Sequence, residues 1–481
     1  MSFSPCRPSS SSASSQQQLR RRSPSAAASA TSSPSSTRLL VAGASNLIRC
    51  YTLTDRTSKD STTDDVLDAS ALSVTCTECL VSGDDYNNAA TVTATTTNNA
   101  ATAANTTTDT TPKTSSSLGY AALDIVRNYC GEDELAGDEV VMASRLGGQV
   151  CMWVRVDTME SNVELGDESG GDDTSKGSTI TNDANTTTRY IRPNVEFTVP
   201  SATGTTLAIR PPSLANYYNL SEGNDDILVA MGCADGAVVI CKTGVVSARP
   251  GGRKNADGVA DILSKSTTSP GEIIASVGTG HACVLSLRFH PTCPNSFVVG
   301  RKDGTVDIYS SPLSTMPTTR GELTFRRMHH LLHASSPVRA LSFSYPDGAL
   351  LFAADDDGHL YSYDASCNNE RTNMAAPVKL VACAITAHRG WVMDVAPFSD
   401  GRRLATCGSD RCVKVWNCGS GLASSKPVHS FEGVHDGIVW GVDCSRVDDR
   451  SGGTVGGRAS GTVKLASCGN DGVVQIFSCG E

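Results

Sequence analysis

The chain has 481 residues, enough for two or three domains, yet only 39% are hydrophobic and 5% aromatic, so its packed core is shorter than its length. A formal net charge of -10, from 40 Lys+Arg against 50 Asp+Glu, provides no phosphate-neutralising footprint and argues against direct nucleic-acid binding. The opening MSFSPCRPSSSSASS has no apolar signal region, and no apolar run approaches the ~20 residues of a membrane span, so the 18 Cys are expected to be reduced, many as small buried hydrophobes.

In chain order, residues 1–37 form a Ser/Arg-rich stretch that carries Arg20, Arg21 and Arg22 and no acid, predicted as a disordered tail rather than an organellar transit segment. Leu39 to Tyr51 (LLVAGASNLIRCY) then reads as a β-hairpin. Cys76 and Cys79 make the one CxxC, without a second ligand pair at zinc spacing, and no metal or cofactor is expected. A Thr/Asn/Ala-rich insert (about 84–117) precedes a second hairpin, Val140 to Trp153 (VVMASRLGGQVCMW). An acidic, Gly-rich insert (about 158–188) leads to a third, Ile227 to Cys241 (ILVAMGCADGAVVIC), and a polar insert (about 245–270) follows. Such segments cannot repay their ordering entropy and are predicted as long disordered loops.

Four tighter copies of the hairpin close the chain: FVVGRKDGTVDIY from Phe297, LFAADDDGHLYSY from Leu351, LATCGSDRCVKVW from Leu404 and LASCGNDGVVQIF from Leu465. In each, a turn Asp lies six residues before a closing aromatic: Asp303 and Tyr309, Asp357 and Tyr363, Asp410 and Trp416, Asp471 and Phe477. Further strands precede them at Val284 to Phe289, Val338 to Phe343, Val392 to Phe398 and Val439 to Cys444, with His281, His333, His388 and His435 just upstream. The closing aromatics are spaced 54, 53 and 61 residues apart, somewhat above the about 40–45 usual for a four-stranded blade.

A two-stranded hairpin is not stable alone, so the repeats must bury one another. Seven copies predict an all-β fold, a seven-bladed WD-repeat β-propeller over residues 38–481. The chain stops at Glu481, directly after the seventh hairpin, and only Ser2-Phe3-Ser4-Pro5 looks like the end of an inner strand. The expectation is therefore that an N-terminal segment is missing, with the seventh blade's outer strand and most of the first blade's innermost one.

His388, Thr406, Asp410 and Trp416 have the order and spacing of a hydrogen-bonded tetrad that ties the loop before a blade to its hairpin turn. His435, Ser467 and Asp471 form a partial copy that ends in Phe477, which donates no hydrogen bond. A Thr-His-Asp hydrolytic triad is the alternative, but the hydroxyl lies in a strand predicted to be buried rather than on an exposed elbow. The chain has no P-loop, no GxGxxG after a strand, no HExxH and no GxSxG, so no enzyme is expected. Trp391, Trp440, Arg339 and His281 are predicted on the rim where loops enter the innermost strands, Trp and Arg being the residue types that dominate binding hot spots, with packing of each Trp between blades as the alternative.

Pro337 to Glu481, with SPVRALSFSYPDGALLFAADDDGHLYSYDA, AHRGWVMDVAPFSDGRRLATCGSDRCVKVWN and HDGIVWGVDC, resembles the WD-repeat subunit of the superkiller (Ski) complex. The resemblance implies a non-catalytic adaptor that binds a tetratricopeptide-repeat subunit, which in turn holds an RNA helicase feeding messenger RNA to the exosome. It also implies residence in cytoplasm and nucleus, the latter through a polymerase-associated-factor elongation complex. A different WD-repeat adaptor, such as a ubiquitin-ligase substrate receptor or a peroxisomal-import receptor, would keep the fold and use other rim residues.

Overall fold

The structure, a computed structural model, describes residues 36–42, 47–55, 72–81, 120–127, 139–145, 147–159, 186–199, 204–211, 226–247, 263–265, 269–311, 324–366, 378–384, 386–418, 426–445 and 463–479. The expected tail, the Arg20–Arg22 cluster and Ser2-Phe3-Ser4-Pro5 lie outside them, as do most of the three expected inserts.

Every described regular element is a strand, and the strands form antiparallel sheets in chain order. The first sheet holds β1 (Ser36–Ala42), β2 (Leu47–Asp55) and β3 (Leu72–Val81). The second holds β4 (Tyr120–Arg127), β5 (Glu139–Arg145), β6 (Gln149–Met159) and β7 (Thr186–Thr198). In the third, β8 (Gly204–Ile209), β9 (Asp226–Cys233) and β10 (Val238–Ser247) are flanked by β11 (Leu263–Lys265) and β12 (Ile273–Val277), which share β10 as partner. The expected polar insert thus touches the sheet at both its ends, with Val245 opposite Lys265.

β13 (Val284–Phe289), β14 (Ser296–Arg301), β15 (Val306–Ser310) and β16 (Arg326–Leu331) make the fourth sheet. The fifth comprises β17 (Val338–Phe343), β18 (Leu350–Asp355), β19 (Leu360–Asp364) and β20 (Lys379–Ala384). The sixth is β21 (Val392–Pro397), β22 (Arg403–Gly408), β23 (Val413–Asn417) and β24 (His429–Phe431). The last has three strands, β25 (Val439–Cys444), β26 (Val463–Gly469) and β27 (Val474–Cys479).

The repeated hairpins are the middle strands of these sheets, in the register set by their apolar alternation: Phe297 faces Tyr309, Leu351 faces Tyr363, Leu404 faces Trp416 and Leu465 faces Phe477. In the fourth sheet the middle strands are buried on both faces, β14 along its whole length, because the sheet packs between the third and the fifth, whereas outer β16 is largely exposed. Apolar clusters fill the spaces between consecutive sheets, from Leu40, Ile48 and Cys50 against Val141 and Trp153 to Val413 and Val415 against Val442 and Leu465.

The number of blades differs from the sequence expectation. Six sheets begin with an innermost strand (β4, β8, β13, β17, β21, β25), and consecutive innermost strands lie against one another. Among the described residues the first sheet has none: β1, a hairpin strand, meets β4 directly. The molecule is therefore a six-bladed propeller preceded by a partial three-stranded sheet, and the expectation of seven blades is corrected. Counting hairpins counts the middle of a blade, whereas a blade is defined by the strand it contributes to the hub.

Side chains also join neighbouring blades through the main chain. Asp124 Oδ2 accepts from Ile209 N at 2.7 Å, Thr205 Oγ1 donates to the Val284 carbonyl, Ser286 Oγ donates to the Val338 carbonyl at 3.2 Å, and Asp394 Oδ2 accepts from Val442 N at 3.2 Å. Described cysteines are free thiols and most are buried; burial raises the thiols of Cys407 and Cys444 far above their ordinary range, which leaves them unreactive.

Candidate protein-binding rim

The rim is built on the turns between the middle strands and the loops that enter the innermost ones. In the sixth sheet His388, Thr406, Asp410 and Trp416 meet in one chain of bonds. His388 Nδ1 is 2.8 Å from Asp410 Oδ1, and His388 Nε2 is 2.8 Å from Thr406 Oγ1, which accepts from Trp416 Nε1 at 2.9 Å. A carboxylate can only accept, so the imidazole donates from Nδ1 and takes the Thr406 proton bond at Nε2, which is the neutral tautomer. Gly408 makes this possible, since a Cβ there would stand 2.7 Å from His388 Nδ1.

Burial opposes ionisation at both titratable members. It pushes the His388 pKa below 6.5 even though Asp410 pulls the other way. At Asp410 burial is outweighed by the His388 hydrogen bond and charge, the Arg389 N–H and Lys414, which together hold its pKa at about 2. The unfolded chain therefore takes up a proton at position 388 near 6.5, before the folded protein does, so this group's contribution to stability is full above that value and declines as pH falls below it. Melting curves of the full chain at pH 7 and pH 5 should accordingly differ less in a His388→Asn variant than in the parent; an equal difference would mean that the imidazole is already charged in the fold.

In the last sheet His435 Nε2 lies 2.9 Å from Ser467 Oγ, and its Nδ1 lies 3.0 Å from Asp471 Oδ2. Phe477 replaces the indole and packs on Phe431 with ring centroids 4.5 Å apart. The fourth sheet uses other chemistry. Arg301, fully buried, donates from Nε to Asp307 Oδ2 at 2.9 Å and from Nη1 to the carbonyls of Gly236 at 2.7 Å and Ala282 at 3.0 Å. Asp307 Oδ1 also bonds His330 Nδ1 at 2.6 Å. Sequence reasoning missed this clasp, whose signal was an Arg two residues before the turn Asp303 where the sixth hairpin has Gly408.

His281 is exposed on the loop before β13, its imidazole without a partner among the described residues, and the Val299 side chain gives it no hydroxyl to meet. Arg339, the second residue of β17, pairs with both carboxylate oxygens of Asp356 and places its Cζ 4.8 Å from the centroid of Trp391. Trp391 is 44% exposed and Trp440, the second residue of β25, is 50% exposed, at the same end of adjacent blades. Arg339 and Trp391 are thus brought together, with Trp440 on the next blade and His281 at the same end of the fourth sheet.

Asp355, Asp357 and His359 bring three ligand atoms within 4.8 Å of one another. Asp355 is already the acceptor for the backbone of Asp357 and His359 and for Tyr361 Oη at 3.0 Å, so this group fastens a turn. The CxxC lies on β3, where Cys76 faces Tyr51 and Cys79 faces Arg49.

Comparisons with known proteins place this geometry. The family model "WD domain, G-beta repeat" matches residues 272–310, 325–364 and 379–417. The chain is similar to actin-interacting protein 1 of Drosophila melanogaster, 26% identical over 155 residues (32% of this chain, 21% of that one). It is similar to Striatin-4 of Homo sapiens, 30% identical over 148 residues (29% and 17%), and to antiviral protein SKI8 of Saccharomyces cerevisiae, 27% identical over 123 residues (24% and 30%). The matches thus span less than a third of each relative's length. Among solved structures it is similar to the Myceliophteria thermophila Cps50 (Swd1) β-propeller domain, at 12% identity and a TM-score of 0.41 over 70% of this chain and 80% of that one. The three matched repeats fall on the fourth, fifth and sixth sheets with the strand preceding each, so over these blades the chain matches the WD-repeat pattern.

Proposed function

We propose that this propeller is a non-catalytic scaffold that holds partner proteins on the rim formed by Trp391, Trp440, Arg339 and His281. The observation that carries the reading is the pair of half-exposed indoles on adjacent blades, one of them stacked under a guanidinium. A Trp left in water forgoes burial of a large apolar surface, and two on one rim present an anchor a partner can cover. WD-repeat propellers act generally as protein-binding platforms.

At a finer level we read the chain as the propeller subunit of a superkiller-type complex, bound to a tetratricopeptide-repeat subunit and through it to an RNA helicase, assisting 3'–5' messenger RNA decay in the cytoplasm, with a further nuclear role in transcription elongation. Support comes from the resemblance of residues 337–481 and from the similarity to antiviral protein SKI8 over 123 residues. Affinity purification of the full chain tests it. Recovery of a large tetratricopeptide protein with a DExH helicase is the expected result, and consistent recovery of cullin subunits or peroxisomal cargo instead would overturn it. Trp391→Ala combined with Trp440→Ala should reduce partner recovery by about tenfold while changing unfolding free energy by no more than about 1 kcal/mol. Undiminished recovery would remove the rim from the interface.

A further inference from the structure

Each hairpin turn from the second sheet to the last places its fourth residue in the left-handed region, where it donates its N–H back to the first. Glycine fills that place in five turns, at Gly148, Gly236, Gly304, Gly358 and Gly472; in the sixth sheet it is Arg411, at φ 64. A side chain there costs backbone strain that glycine avoids, and strain held at one repeat only is a reason to ask what the side chain does.

Arg411 lines a cleft of about 220 Å³ with Arg389, Lys414, Asp410 and Glu432. Neither guanidinium has a hydrogen-bond or ion-pair partner among the described residues, and both are exposed. Lys414 donates to the Ala387 carbonyl at 2.6 Å. Both Asp410 oxygens are committed, one to His388 and the other to Arg389 N at 3.0 Å. What the cleft leaves unsatisfied is therefore two guanidinium forks opposite the single carboxylate of Glu432. Arg389 stands two residues before Trp391 on the same loop, so the cleft adjoins the aromatic rim.

We infer that this cleft is a subsite for the carboxylate of an acidic peptide segment on a protein partner. The inference rests on the rim being a protein-binding surface and adds the chemistry of what binds there. Two planar forks match a carboxylate, and Glu432, lining the same cleft, repels the denser charge of a phosphoryl group more than it repels a carboxylate.

Anisotropy of a fluorescein-labelled hexaglutamate peptide with the full chain at low salt tests this. Binding is expected, with competition by unlabelled hexaglutamate and none by hexalysine. Arg389→Ala and Arg411→Gly should each weaken it about fivefold, and Glu432→Gln should strengthen it about twofold. Arg411→Gly restores the residue found at the other turns, so its melting temperature should not fall, and lost binding cannot then be lost folding. Equal affinity in the parent and in the folded Arg389→Ala/Arg411→Gly variant would overturn the subsite, as would a phosphoserine peptide that binds far more tightly than hexaglutamate and loses that advantage in the variant. Failure here with partner recovery still dependent on Trp391 and Trp440 removes the subsite alone; hexaglutamate binding with recovery independent of both indoles removes the rim reading alone.

Discussion

Trp416→Ala should lower the unfolding free energy by about 3–5 kcal/mol. The indole is 1% exposed in the cluster between the fifth and sixth sheets, beside Leu404, Phe352 and Val395, and that packed space cannot collapse around a methyl group. Its Nε1 also supplies a hydrogen bond to Thr406 Oγ1, at one end of the chain through His388 to Asp410. Trp416→Phe separates the two effects. The last sheet carries Phe477 at this place beside an intact His435–Ser467–Asp471 chain, so the ring alone supports the blade. The Phe variant should lose only about 1 kcal/mol. Chemical denaturation of the three proteins gives both numbers; equal losses for Ala and Phe would assign the stability to the hydrogen bond and not to packing.

A loss of similar size, about 3–5 kcal/mol, is expected for Arg301→Ala. The substitution strips Asp307, 1% exposed, of the Arg301 guanidinium and leaves it the His330 hydrogen bond and, at 3.7 Å, Arg327. The carbonyls of Gly236 and Ala282 lose their donor as well. Arg301→Lys keeps the charge but not the fork, and should recover less than half the loss. An Arg301→Met/Asp307→Leu double variant, which removes both ions together, should be far closer to the parent than Arg301→Ala. If the double and single variants were equally unstable, the ion pair would be irrelevant and the volume of the Arg side chain would be the whole effect.

These two sites mark how far the sequence could be read. The hairpins were legible because period-two alternation and a turn Asp survive from repeat to repeat, and Phe297–Tyr309, Leu404–Trp416 and their equivalents face each other as that pattern requires. The tetrad residues were legible for the same reason, each at a fixed distance from the turn Asp410. Arg301 was not: its partners come from residues 236, 282, 307 and 309, and only the fold brings the earliest of these, Gly236 on the preceding blade, within reach. His281 illustrates the converse. Its place before an innermost strand matches that of His388, but Val299 stands where the sixth sheet has Thr406, and its imidazole has no partner among the described residues. Blade number escaped because an innermost strand such as β8 (GTTLAI) has no turn motif of its own, and the hairpin at β1–β2 resembles the others without having such a strand beside it.

The blade-to-blade joints carry a consequence for engineering and for inheritance. At four of them a side chain of one repeat is consumed by the main chain of the following repeat, and the side chains differ: Asp124 and Asp394 accept, Thr205 and Ser286 donate. A repeat transplanted from one place to another would bring the wrong plug for its new neighbour's socket and leave its old neighbour's socket empty. The repeats look interchangeable in their motifs, but they are ordered parts, and a lesion in one is felt in the next.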